Sequence, residues 1–482
     1  MDNRNLTLLT DFYELTMMQG YYKNQTDPVV VFDAFYRTNP SGNGYAITCG
    51  LEQVIDYIKN LHFTYDDIAY LRSLKMFDEE FLDYLSGFHF TGDIYAIPEG
   101  SVVFPMEPLV KVVAPIMQAQ LVETAILNII NHQSLIATKA ARVCYAAQGD
   151  PVMEFGLRRA QGPDAGTYGA RAAVIGGCVG TSNVLAAQMF DVPALGTHAH
   201  SWIMSFPDEL TAFRTYANMY PENATLLVDT YDTLRSGVPH AIQVFKEMRD
   251  AGKMPVKYGI RLDSGDLAYL SKEARKMLDA EGFTDAVIVA SSDLDEHLID
   301  SLKTQKAAIG SWGVGTKMIT SADCPAFGGV YKLAAIEKDG VFEPKIKLSE
   351  NTWKVTNPGN KTVFRIYDEQ HKIKADLIAL ADETVDENDK LLLLDPIETW
   401  KKTLLQPGEF TVREMMVPVF KGGVCVYQSP TVKEIKAYCQ QELNTLWEES
   451  RRLVNPHEVH VDLSAKLWDI KTELLDTFHT GM

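Results

Sequence analysis

Residues 258–266 read YGIRLDSGD, and residues 267–282 continue LAYLSKEARKMLDAEG. A short apolar run, closed by aspartate, serine and glycine, feeds straight into a segment whose apolar positions recur at helical spacing. That is one βα unit: strand, polar loop, amphipathic helix. The pattern repeats on both sides. VMEFGLRR (152–159), VPALGTHAH (192–200), TLLVDTYDT (225–233), AVIVASSDLD (286–295) and AIGSWGVGT (308–316) read as strands ending in polar clusters. HAIQVFKEMRDAG (240–252) and EHLIDSLKTQKAA (296–308) read as intervening helices. Successive βα units imply a parallel sheet, and this many in a row suggest a barrel, with its chemistry on the loops after the strands.

Outward from this core, residues 136–345 are assigned to an α/β barrel catalytic domain. Residues 1–135 form a mixed α/β domain. Asp11-Phe12-Tyr13-Glu14 has the D-x-x-E form of a capping box introducing a helix. VVVFDAFYR (29–37) is an alternating strand ending at Arg37, and residues 92–115 are short strands broken by Pro98-Glu99-Gly100 and Pro105. Residues 346–482 read as an α+β region that partly packs with the N-terminal domain. It opens with strands around the turn Asn357-Pro358-Gly359-Asn360 and continues into a charged helix near residues 432–453. The acidic stretch 381–390 is expected to be a solvated loop.

Composition limits the function. Of 482 residues, 46% are hydrophobic and 23% charged, which suits a globular protein. A net charge of −19 disfavours broad nucleic-acid or anionic-membrane binding, since phosphates demand lysine and arginine stripes. The six cysteines are scattered without a C-x-x-C pair, so no zinc knuckle is expected and a reducing compartment is. The opening residues lack a basic segment followed by an apolar stretch, so no secretory signal is expected. The uncharged run 172–190 contains Gly176-Gly177 and Gly180-Thr181-Ser182-Asn183, which reads as a turn between buried segments, not a lipid span. A cytoplasmic protein without membrane or nucleic-acid partners is the expectation.

The strand-end residues are cationic and hydroxyl-rich. In GTHAHSW (196–202), only one of His198 and His200 is expected to point into the loop-lined cavity. A lone barrel histidine is more often a hydrogen-bonded core residue than a catalyst. Thr197 and Ser201 favour a functional role, since they can orient an imidazole or bind a substrate oxygen. No third ligand follows at metal spacing, so no intrinsic metal site is expected. In RLDSGDL (261–267), Asp263 or Ser264 could merely cap a helix, but that leaves Arg261 unexplained. An arginine fork suits a carboxylate or phosphate. Arg158 and Arg159 follow another strand, and one of the two is expected to serve only as a surface ion-pair partner. GVGT (313–316) can hold a phosphate or simply turn the chain. Arginines for phosphates, with aspartates at 229, 232, 263, 266 and 293 for ribose hydroxyls or magnesium, suit a phosphorylated sugar. The G-x-x-x-x-G-K-[ST] cradle of P-loop ATPases is absent from the sequence.

LLTDFYELTM (8–17), EFGLRRAQGPDAG (154–166), GTHAHSW, RLDSGDL, GVGT and LSENTWKVTNPGNKTVFR (348–365) stand in this order, and the chain thereby resembles the nicotinate phosphoribosyltransferases. The resemblance runs from residue 8 to about residue 365. It implies the type II phosphoribosyltransferase fold, an irregular, incomplete α/β (TIM-like) barrel beside a mixed α/β domain. It implies transfer of phosphoribosyl from phosphoribosyl pyrophosphate to nicotinate, with Mg²⁺ and with ATP as co-substrate phosphorylating His200. It also implies a homodimer with shared sites. On this resemblance Tyr13 of the partner subunit and Phe155 sandwich the pyridine ring, and Arg261 with Thr197 faces the nicotinate carboxylate. Arg37, Arg158, Ser264, Gly315 and Thr316 hold phosphoribosyl pyrophosphate. Asp263 joins His200 in catalysis, and magnesium arrives with substrate near Asp232 or Asp263. Two alternatives stay open: the same chemistry on nicotinamide or quinolinate, and a catalytically silent metabolite-binding protein on the same scaffold.

Overall fold

The structure, a computed structural model, describes residues 4–351, 354–398 and 400–480. Thr352 and Trp353 of the 348–365 motif, and the first three residues of the N-terminal reading, lie outside the described residues. The chain divides into two compact units, Met1–Thr138 with Ala326–Met482, and Lys139–Pro325.

The Lys139–Pro325 unit is built on a six-stranded sheet in the order Gly180–Thr181, Val152–Glu154, Ser311–Val314, Val287–Ala290, Tyr258–Leu262, Ala224–Leu227. Every pairing is parallel. The strands are short apolar runs with most residues buried, as a sheet covered on both faces requires. At Gly259 the neighbouring strand comes so near that a Cβ would lie 1.9 Å from the Val287 carbonyl oxygen, so only glycine fits. Helices return the chain between strands, and their starts are fixed by aspartates. Asp266 accepts the Tyr269 N–H at 3.0 Å ahead of the Leu267–Ala280 helix. Asp295 accepts the Leu298 N–H at 2.7 Å ahead of Glu296–Thr304. Asp232 accepts the N–H groups of Leu234 and Arg235. Each satisfies helix donors that would otherwise be orphaned.

The sheet is open. One edge is Ala224–Leu227, and the other, Gly180–Thr181, gains a single parallel bridge from Thr181 to Ala194. The architecture is a mixed α/β fold with a parallel half-barrel, not a ring of eight strands. VPALGTHAH contributes only that one bridge and otherwise runs as a loop into the His200–Met204 helix. The uncharged run 172–190 comprises the end of a helix, the Gly180–Thr181 strand and the Val184–Phe190 helix capped by Asn183. Among the described residues no helix is long and apolar enough to cross a membrane.

The other unit interleaves the two ends of the sequence. Its seven-stranded sheet runs Val341–Pro344, Gly329–Lys338, Val29–Tyr36, Val110–Pro115, Asp93–Ala96, Val417–Lys421, Val424–Cys425. The Gly329–Lys338 strand pairs antiparallel with Val29–Tyr36. Residues 326–345, read with the barrel from the sequence, fall in the unit of Met1–Thr138, and residues 346–482, expected to pack partly with the N-terminal domain, fall in that unit too. The reason is edge satisfaction, because Val29–Tyr36 is buried along nearly its whole length and needs a partner on each side. The D-x-x-E segment does begin a helix, Phe12–Lys23, but Asp11 makes no side-chain cap bond.

The six-stranded second sheet of this unit carries a buried ion cluster. Arg365, fully buried on the Lys361–Tyr367 strand, donates to Asp376 Oδ1 at 2.9 Å and Oδ2 at 2.6 Å, to Glu442 Oε2 at 3.0 Å and to the Val102 carbonyl at 2.8 Å. Arg413 pairs with Glu442 from the other side at 2.8 Å. Burial, aided by Asp376, pushes the Glu107 carboxyl well above the usual carboxylate range. The guanidiniums of Arg365 and Arg413 face the carboxyls of Asp376 and Glu442. Removing Arg365 strands Asp376 and half of Glu442 in a dry interior. Arg365→Met should cost about 3–5 kcal/mol, read as a lowered urea midpoint, and an unchanged midpoint would contradict this account.

Candidate active site

Parallel pairing brings all six carboxyl-terminal strand ends to one edge of the sheet, with Leu227, Arg261 and Val289 in register. His200 is the first residue of the His200–Met204 helix. Its Nδ1 lies 3.0 Å from the Thr230 hydroxyl, and its Nε2 lies 3.6 Å from Asp263 Oδ2. The second distance is beyond a hydrogen bond but within ion-pair reach. Both side chains keep about a third of their surface open, at 38% and 34%. The imidazole is thus reachable and polarised on both nitrogens.

His198 differs. It is buried, its ring stands 4.6 Å from that of Tyr216, and its Nε2 accepts the Leu227 N–H at 3.3 Å. Burial pulls its pKa down to about 4, with Arg261 and His200 adding to the effect, so it is neutral at physiological pH. The two histidines differ in exposure because the loop enters a helix at His200; in a strand, residues two apart would share a face.

Arg261 occupies the last turn of its strand, where its Nη1 donates to the Thr197 hydroxyl. Its Nε is buried without a hydrogen-bond partner among the described residues. Burial lowers its pKa, the carboxylates of Asp263 and Asp229 oppose that, and Arg158 reinforces it. The result is a desolvated, incompletely compensated guanidinium that suits a planar anion.

The acids are tied together. Asp229 Oδ2 accepts the Asp263 N–H at 2.8 Å and the Ser264 hydroxyl at 2.7 Å. The Ser291 hydroxyl donates to Asp263 Oδ1. Next to Ser291, Ser292 and Asp293 hold φ of 97° and 44°, left-handed backbone at non-glycine residues, a strain common at functional loops.

On the neighbouring strand Glu154 is buried and accepts the Gly156 N–H and, at 2.5 Å, the Thr181 hydroxyl, which fixes the point from which Phe155 projects. The Phe155 ring lies against Gly313, where a Cβ would come within 2.6 Å of it. Arg158 and Arg159 sit exposed in the Leu157–Arg159 turn. Gly315 precedes the short Thr316–Ile319 helix, and Lys317 is held by Asp295 at 2.7 Å. Among the described residues no group of three or more His, Cys, Asp or Glu could hold a metal ion.

Lys139–Pro325 therefore contains His200, Asp263, Thr197, Arg261, Phe155, Arg158, Ser264, Gly315, Thr316 and Asp232, with Asp232 occupied as a helix cap. Tyr13 and Arg37 belong to the other unit. Tyr13 is 46% exposed, with its hydroxyl 3.1 Å from Glu123 Oε1. Arg37 has a buried Nε without a partner among the described residues, and burial lowers its pKa. The sequence reading missed Thr230, Ser291 and Glu154. Thr230 and Ser291 stand just past the ends of their strands, and Glu154 ends its own, so strand-end position was the available signal.

Known proteins share this sequence and architecture. The profile of the nicotinate phosphoribosyltransferase N-terminal domain matches residues 8–131, that of the nicotinate phosphoribosyltransferase family residues 151–366, and that of the C-terminal domain residues 360–471. The nicotinate phosphoribosyltransferase of Bacillus subtilis is 48% identical over 471 residues, 97% of this chain and 95% of that protein. The Homo sapiens nicotinate phosphoribosyltransferase is 31% identical over 95% of both chains. The crystal structure of human nicotinic acid phosphoribosyltransferase superposes with a TM-score of 0.83 at 29% identity, covering 97% of this chain and all of that one.

Because the His198 pKa is depressed in the folded state, the unfolded chain takes up its proton first as pH falls from 6.5 towards 4, and stability is lost across that window. His198→Gln removes this term. Between pH 7 and 5 the variant should lose about 2 kcal/mol less than the parent, measured by urea unfolding. Equal losses would show that His198 protonates freely in the fold.

Proposed function

The chain belongs to the nicotinate phosphoribosyltransferase family, and we propose that the cluster at the carboxyl edge of its parallel sheet is where nicotinate meets phosphoribosyl pyrophosphate. Its activity is phosphoribosyl transfer to nicotinate in NAD biosynthesis, yielding nicotinate mononucleotide and pyrophosphate. The observation that carries the site assignment is Arg261, a part-buried guanidinium with a hydroxyl partner and a buried Nε that has no hydrogen-bond partner among the described residues. A carboxylate is planar, fits that fork and neutralises it, and the neutral amide of nicotinamide does not.

Around this anchor each residue takes a role that its position supports. Thr197 orients Arg261 and shares the carboxylate. Phe155, seated on Gly313, offers one face to the pyridine ring, and the partner subunit's Tyr13 offers the other. Arg158, Ser264, Gly315 and Thr316 are assigned to phosphoribosyl pyrophosphate, with Arg37 as a further phosphate ligand. In the reaction the pyridine nitrogen bonds to ribose C1 as pyrophosphate leaves, through an oxocarbenium-like centre. The protein holds the reactants in line and stabilises the separated charge. Mg²⁺ would balance the leaving pyrophosphate. Asp263 suits it better than Asp232, whose carboxylate is already capping a turn.

His200 is assigned to ATP coupling. Its open imidazole, between the Thr230 hydroxyl and the Asp263 carboxylate, can accept a phosphoryl group without touching the sugar carbon. A homodimer completes the reading. The helix Phe12–Lys23 exposes Phe12, Tyr13 and Met17, an apolar face that a second copy would cover.

Two experiments test these assignments. With nicotinate, nicotinamide or quinolinate supplied alongside phosphoribosyl pyrophosphate and Mg²⁺, only nicotinate should turn over well. Arg261→Met should raise its KM about 10- to 150-fold, the value of a charged hydrogen bond. Comparable turnover of nicotinamide by the parent would overturn the assignment of Arg261. Separately, His200→Asn should still bind nicotinate but lose its acceleration by ATP. If the variant hydrolyses ATP like the parent, the phosphoryl acceptor lies elsewhere.

A further inference from the structure

The exposed ring of Tyr13 sits on the first turn of the Phe12–Lys23 helix. Side chains on this turn meet the start of the Glu123–Ala146 helix at two separate points. At the first, Thr124 Oγ1 accepts the Asp11 N–H at 3.2 Å and lies 2.8 Å from Glu14 Oε1 and 3.0 Å from Asp11 Oδ2. Glu14 is fully buried, and burial pushes its carboxyl up to about 8, so it is protonated at neutral pH and also bonded to Thr10. This interlocked set, together with buried Leu15 and Met18, is sufficient to dock the helix.

The second point does something else. The Tyr13 hydroxyl donates to Glu123 Oε1 at 3.1 Å, and Glu123 Oε2 is itself held by the Gln120 amide at 3.1 Å. Glu123 is a half-buried carboxylate fixed from behind. An exposed tyrosine ring without such a tie distributes over about three χ1 wells. The helix is already anchored by Thr124 and Glu14, so the Tyr13–Glu123 bond adds orientation of the ring and little docking.

We propose that Glu123 is a positioning residue for the transfer reaction: through the Tyr13 hydroxyl it holds the ring in the one orientation that can lie flat against nicotinate in the partner subunit's site. This rests on the reading of Tyr13 as an aromatic cover. Gln120 supports Glu123 in the same role. The ring carries the contact, and the carboxylate sets its angle.

The test uses the full-length dimeric enzyme and compares Tyr13→Ala, Tyr13→Phe, Glu123→Ala, Glu123→Gln and the double variant Tyr13→Phe/Glu123→Ala. Tyr13→Ala should raise the nicotinate KM. Tyr13→Phe and Glu123→Ala should each raise it by about 3- to 10-fold, the range of one partly exposed hydrogen bond, with the KM for phosphoribosyl pyrophosphate unmoved. The double variant should be no worse than either single change, and Glu123→Gln, which keeps an acceptor oxygen, should recover most of the loss. If Tyr13→Ala raises the nicotinate KM while Tyr13→Phe leaves it at the parent value, the positioning role is wrong and the cover stands. The same follows if the two single effects simply multiply. If Tyr13→Ala itself has no effect on the nicotinate KM, the reading of Tyr13 as a cover fails, and this inference with it. Should Glu123→Ala fail to fold, Tyr13→Phe, which keeps the ring and its packing, decides the matter alone.

Discussion

Six strands paired only in parallel impose the constraint on which this site depends. A parallel neighbour can be reached only by a crossover, so each strand must leave the sheet at its carboxyl end and return at its amino end. Every loop that leaves a strand therefore opens on the same edge. Leu227, Arg261 and Val289 stand side by side there, and the residues after them are drawn into one volume although scores of positions separate them in sequence. Helix caps use some of these aspartates, such as Asp232, Asp266 and Asp295. Asp229 instead binds the loop of Asp263 and Ser264, while Asp263 accepts from Ser291 and keeps its other oxygen 3.6 Å from His200 Nε2.

Electrostatics then gives the cluster its chemical sense. Arg261 has lost most of its water, and a second arginine acts on it through Arg158. Asp263 and Asp229 act the other way and favour its charge. The neutral, buried His198 beside it adds no charge of its own, and the reachable His200 stands apart on the solvent side. Of two histidines two positions apart, one is packed in the interior and the other is open to solvent.

The other unit is organised by long-range pairing. The Val29–Tyr36 strand finds its neighbours at Val110–Pro115 and Gly329–Lys338, the latter from the far side of the barrel sequence. Arg365 ties the Lys361–Tyr367 strand to Asp376, to Glu442 on the Val432–Thr445 helix and to the Val102 carbonyl. Charges so deeply buried tolerate only balanced partners, which joins the C-terminal residues to the N-terminal region. The start of the Phe12–Lys23 helix is held against the start of Glu123–Ala146 by the same means on a smaller scale.

The sequence by itself determined the βα rhythm, the parallel sheet and the strand-end position of Arg261 and Asp263. Apolar periodicity and turn chemistry are local, and each strand and helix carries its own signal within a dozen residues. It did not determine to which unit residues 326–345 belong, because the Gly329–Lys338 strand pairs with Val29–Tyr36 from the other end of the chain. The capping box at Asp11 went astray for a related reason: Glu14 found Thr10 and Thr124 a better match than the helix start. Thr230, Ser291 and Glu154 carried only the signal of their strand-end positions, since a hydroxyl or a carboxylate acquires a role from what stands opposite it. The difference in burial between His198 and His200 arises from a loop turning into a helix. Which groups face one another across the sheet edge is a matter of register and burial, and only the tertiary structure sets these, because they are energies of pairs far apart in the chain.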